Sequence, residues 1–121
     1  MKKILSYVLG VVMLAGAIAH LVAPEAYAAM IPDFIPATLA HILAALAELV
    51  TGVVLIVPRF RKTGGLFFMG LMIAFLPIHV WDLFRENPAI GDPPIPMIRV
   101  AVQFLLIYTG WWIYKKSEAW T

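Results

Sequence analysis

Residues 37–58 read ATLAHILAALAELVTGVVLIVP, and this stretch decides the fold. Up to Pro58 it is dominated by Ala, Leu, Val and Ile, with one carboxylate, Glu48, near its middle. At about 1.5 Å of rise per residue, a helix of this length is roughly 32 Å long, enough to cross a bilayer. A soluble amphipathic helix would set Glu48 on a wet face, but here apolar neighbours surround it on every side. An ionisable group at mid-membrane depth costs at least ~2.5 kcal/mol, so it turns toward a protein interior or a wet cavity. His41 stands two helical turns earlier on the same side, so the imidazole and the carboxylate share one inward face. The stretch locates a site without naming what the site binds.

The rest of the chain has the same character. Of its 121 residues 63% are hydrophobic and 13% charged, against about 25% charged in a soluble domain. That is one small domain whose apolar surface is too large for a soluble bundle to hide, and the lipid bilayer is the solvent that fits it. Cysteine is absent, which excludes disulfides, thiol redox chemistry and thiolate metal sites within the chain. The net charge of +2 does not indicate nucleic acid, because the lysines and arginines fall in short clusters at helix ends rather than in a basic patch.

Three more spans flank the central one. Residues 4–22 carry no charge and follow Lys2 and Lys3. A signal peptide is the rival reading, since Ala26-Tyr27-Ala28 imitates a cleavage site, but a signal's apolar core is about 7–15 residues and this run is longer. An uncleaved first helix is therefore expected. Thr63 reads as the N-cap of a third helix over 66–83, which Pro77 should kink, and a fourth covers 97–114 and closes on Trp111, Trp112 and Tyr114. The fold class is all-α, a four-transmembrane-helix bundle in a single membrane domain. Lysine and arginine cluster at both termini and at Arg59, Arg61 and Lys62, which places both termini and the short hairpin in the cytoplasm. Two proline-rich loops, residues 24–36 and the connection ending at Pro96, then face outward as stiff caps. A faint duplication is visible: His20 precedes Ile35-Pro36 much as His79 precedes Ile95-Pro96.

The polar groups within these spans are unevenly distributed. His41 lies roughly 8 Å and Glu48 roughly 18 Å below Pro36. His20, His79, Asp82, Arg99 and Gln103 also fall in the half of the bundle near the long loops, and the other half is nearly featureless. This asymmetry points to a ligand pocket opening outward. Arg99 sits at a helix N-terminus, where the macrodipole disfavours a cation, so it requires an anion. Asp82 matches it in depth, and a ligand's carbonyl or anionic group is the alternative. The bland readings are that His20 is an interfacial residue on a backbone carbonyl and that His41 and Glu48 glue the bundle. Ala40, Ala44, Ala47 and Thr51 form a small-residue stripe that close helix packing explains. The histidines show no close metal-ligand spacing, which weighs against metal or haem.

In order, AHLVAPEAYAAMIP from Ala19, AELVTGVVLIVPR from Ala47, LPIHVW from Leu76 and RVAVQF from Arg99 resemble the DoxX-like family of small four-helix membrane proteins. Leu21 replaces the usual Phe, and Pro77-Ile78-His79 stands where many relatives have Pro-x-Asn. The resemblance implies a link to membrane redox systems, including a quinone-reducing thiosulfate oxidoreductase subunit, in a bacterial or archaeal cytoplasmic membrane. The first functional expectation is a redox-associated subunit in which His41, Arg99 and Gln103 bond a quinone carbonyl and Glu48 carries its proton. His20, His79 and Asp82 complete the ligand site, and a redox partner protein supplies the electrons. Rival expectations are a non-enzymatic assembly or binding protein, and a small transporter or proton relay working as a homo-oligomer.

Overall fold

The computed structural model describes residues 2–25, 31–85, 91 and 94–115. It contains four long α-helices, α1 (Lys2–Val22), α2 (Ala37–Ile56), α3 (Arg61–Leu83) and α4 (Ile95–Lys115), with a 3-10 turn at Pro58–Phe60 between α2 and α3. No strand occurs among the described residues. All four helices are long and apolar enough to cross a membrane, and the protein is an integral membrane four-helix bundle. Ile4, Val8, Leu43, Phe104 and Leu105 point out of the bundle, as residues facing lipid tails should.

Lipid is as apolar as leucine, so hydrophobicity alone does not hold such helices together; close packing and internal hydrogen bonds must. Leu9 and Met13 of α1, Leu55 of α2, Phe68 and Met72 of α3 and Ile113 of α4 form the core. The tightest approaches occur at glycines. A Cβ on Gly10 would lie 2.9 Å from the carbonyl oxygen of Gly52, and one on Gly52 would lie 2.9 Å from that of Gly10. Gly65 and Gly110 do the same between α3 and α4, at 2.8 and 2.9 Å. Each hairpin, α1–α2 and α3–α4, is thus pinned by one glycine–glycine crossing. The halves share this device, but His20 and His79 occupy different polar clusters. Ser6 adds a polar lock, its Oγ donating to the Leu55 carbonyl at 2.6 Å. That carbonyl belongs to the last turn of α2, where intrahelical partners run out.

α3 starts earlier than the sequence indicates. The turn at Pro58–Phe60 reverses the chain, the helix begins at Arg61, and its N-cap is Phe60 rather than Thr63. Gly64 and Gly65 lie inside the helix because packing needs them there: a Cβ on Gly64 would meet the Leu55 backbone at 2.9 Å. Pro77 also lies within α3, which continues to Leu83. Of the long connections, residues 26–30, 86–90, 92 and 93 lie outside the described residues, and the expectation of stiff caps falls largely on them.

Candidate functional site

A cavity of about 260 Å³ lies among the four helices, in the half of the bundle nearer the long loops. Ile31, Ala40, Ala44, Met72, Phe75 and Ile78 form its apolar wall. The polar groups that reach it are His20 from α1, Glu48 from α2, His79 from α3, and Arg99 and Gln103 from α4. A mostly apolar hollow with a few convergent polar groups is the usual form of a small-ligand site. Ala40 and Ala44, which read in the sequence as helix-packing residues, instead leave the hollow open. The close approach between α1 and α2 falls to Gly10 and Gly52.

Glu48 is 7% exposed. Its carboxylate fits between α1 and α2 because residue 16 is glycine: a Cβ there would lie 2.8 Å from Glu48 Oε1. His20 Nε2 stands 3.2 Å from Glu48 Oε2, within ion-pair distance but off the line of a hydrogen bond. On its other side His20 Nδ1 meets His41 Nδ1 at 3.1 Å, with the rings tilted by 55°. The bland reading of His20 as a lone interfacial residue does not fit these contacts, and His20 lines the cavity with the other site candidates. His41 and Glu48 do share the inward face of α2, but His20 of α1 stands between them as the link. One nitrogen of the His20–His41 contact must carry a hydrogen while the other accepts it. If His20 accepts at Nδ1, its Nε2–H faces Glu48 as a donor; if it donates there, Nε2 faces Glu48 as an acceptor. The tautomers of the two histidines are thereby coupled, and the choice sets which group His20 turns toward Glu48.

The opposite wall is differently equipped. Gln103, 4% exposed, donates from Nε2 to the Met72 carbonyl at 2.8 Å and lies 3.5 Å from the Met72 sulfur. A carbonyl can only accept, so the amide nitrogen must face Met72, which leaves the Gln103 oxygen as an acceptor. The sequence reading had Gln103 bonding a ligand carbonyl, which needs a donor; here its amide nitrogen is engaged with Met72. His79 Nδ1 is buried without a hydrogen-bond partner among the described residues. His79 interacts electrostatically with both Arg99 and Asp82, and Asp82 also acts on Arg99. Asp82, 1% exposed, stands behind the cavity, where its carboxylate accepts from Arg85 Nη1 at 3.2 Å. The Arg85 guanidinium stacks 4.5 Å from the Trp81 ring centre. Asp82 thus answers to two arginines, where the sequence assigned it one.

Of the seven polar residues singled out in the sequence, five line the cavity, while His41 and Asp82 each stand one contact behind it. Gly16, Met72, Phe75 and Ile78 were not flagged. Gly16 was findable, because it precedes His20 by one helical turn and so shares its face. No cluster of three His, Asp or Glu side chains placed to hold a metal occurs among the described residues.

Residues 9–114 match the family described as a domain of unknown function, DUF8561, and the chain belongs to that family. No curated protein and no solved structure matches it.

Proposed function

We propose that this DUF8561 protein is a redox-associated membrane subunit whose cavity binds a quinone-like ring and exchanges a proton with it at Glu48. The observation that carries this reading is the convergence of polar groups from all four helices on one apolar-walled hollow. Arg99 offers N–H donors to a carbonyl oxygen, and Gln103 offers an acceptor to a hydroxyl, so one wall can hold both the oxidised and the reduced form of such a ring. Glu48 faces the ring as the group that gives or takes a proton. His20, in contact with His41 on one side and 3.2 Å from Glu48 on the other, is the group through which Glu48 would be resupplied once the side chains align. The electrons come from a partner protein. The resemblance of the ordered motifs to the DoxX-like family supports the same direction.

The test is direct. Protein purified in mild detergent and extracted with organic solvent is expected to release a bound quinone, and Arg99→Leu or His79→Leu is expected to release little. An extract free of quinone, with no binding of an added short-chain quinone, would sink the reading and leave the assembly-protein alternative ahead.

The orientation belongs to the same proposal. Basic residues at the hairpin and both ends place these in the cytoplasm of a bacterial or archaeal cell, with the cavity toward the outer leaflet. Cysteine placed at exposed Asp33 should react with impermeant reagent applied outside, while cysteine at exposed Thr63 should not. Reversed labelling would overturn the topology.

A further inference from the structure

The end of the bundle remote from the cavity carries a second organised feature. Among the described residues, Lys3, Arg59, Arg61, Lys62 and Lys115 lie at the end that holds the Pro58–Phe60 turn. The described carboxylates, Glu25, Asp33, Glu48 and Asp82, all lie deeper in the bundle or at the other end. The cations are ordered against aromatic rings. Arg61 stands 4.6 Å from the Tyr7 ring centre, Lys62 5.4 Å from that of Tyr114, and Lys115 4.8 Å from Trp111. Arg61 and Lys62 are consecutive, one engaging α1 and the other α4, so the pairs form a stripe across three helices.

We infer that this stripe binds the phosphate headgroup of an anionic phospholipid. Aromatic faces hold the exposed Lys62 and Lys115 in place and leave their ammonium groups at the surface, where an acceptor can reach them. Tyrosine and tryptophan sit at headgroup depth, where that acceptor lies. Arg61 is only 3% exposed, a fixed charge within the end of the bundle rather than a solvated one. The first turn of α3 holds no acidic residue and its cap makes no side-chain hydrogen bond, so the helix dipole adds to the positive potential. Exposed Ile4, Val8, Leu66 and Tyr108 lie along the same helices, where acyl chains would run. An acidic soluble partner would satisfy the charges but not this adjoining apolar surface. The inference is independent of what occupies the cavity.

Native mass spectrometry of the full chain, released from micelles holding equal amounts of phosphatidylcholine and phosphatidylglycerol, tests it. Wild type is expected to retain phosphatidylglycerol preferentially, and less of it as salt rises. K62Q/K115Q removes two exposed cations at about 1 kcal/mol each, so it should bind that lipid roughly twenty- to thirtyfold more weakly. Arg85→Gln, at the opposite end, should retain it like wild type. Equal retention of the two lipids by wild type, undiminished retention by K62Q/K115Q, or displacement of the lipid by an equal concentration of inorganic phosphate would each overturn the inference.

Discussion

Gly65→Ala and Gly110→Ala are each expected to lower the melting temperature of the detergent-solubilised protein sharply, whereas Gly70→Ala should raise it slightly. The three substitutions add the same methyl group to helical positions, so the comparison isolates what the methyl meets. At Gly65 it would lie 2.7 Å from the Tyr114 nitrogen and 2.8 Å from the Gly110 oxygen; at Gly110, 2.8 Å from the Met69 nitrogen. These are backbone atoms of a neighbouring helix and cannot swing aside, so α3 and α4 must separate. Overpacking typically costs about 1–3 kcal/mol, and a clash with backbone belongs at or above the top of that range. At Gly70 nothing lies within 4 Å, so only the helix-propensity gain of up to about 1 kcal/mol remains. Equal melting of Gly65→Ala and Gly70→Ala would show that the α3–α4 crossing is not what holds this half together.

Gly65 also shows where the sequence misleads. Gly64 and Gly65 follow a proline-led basic turn, and locally that pattern reads as the start of a helix rather than its interior. What places them inside α3 is a neighbouring backbone, Leu55 across the turn for one and the far more distant Gly110 for the other, and no helix-start pattern encodes either contact. The spans themselves were legible because membrane length and the absence of charge are properties of single segments. The candidate site was partly legible for a related reason: an ionisable residue within a span has few places to go, so Glu48, Arg99 and Gln103 could be read as inward-facing one at a time. Their pairings could not. Asp82 and Arg99 matched in depth and do interact electrostatically, yet depth is one coordinate of three, and it did not show that Arg85, just past the end of α3, also pairs with Asp82. The partners of His20, Glu48 and His41, could not be read because they come from another helix whose rotation about its axis the sequence does not fix.

If the proposed quinone chemistry holds, Glu48→Gln is expected to leave ligand retention and melting temperature near wild type while electron transfer to quinone, measured with the redox partner that proposal calls for, falls by about 10²–10⁴-fold, the usual worth of a positioned acid or base. Glutamine keeps the shape of the side chain and a donor toward the cavity, but it has no proton to release. Resupply through His20 then ends on a group that cannot accept the proton. Gly16→Ala approaches the same point differently. Its methyl would lie 2.8 Å from Glu48 Oε1 and 3.3 Å from Cδ, and the carboxylate is the free end of a flexible side chain. The carboxylate should therefore swing away and the fold survive, with a smaller loss of melting temperature than Gly65→Ala and a turnover defect in the same direction as Glu48→Gln. Glu48→Leu separates the remaining alternative. If the carboxylate only glues α2 to α1 through His20, leucine lowers stability while glutamine behaves as wild type in every assay. Wild-type turnover in Glu48→Gln would therefore reject the proton-carrying role and shift the balance to a protein that binds or assembles others.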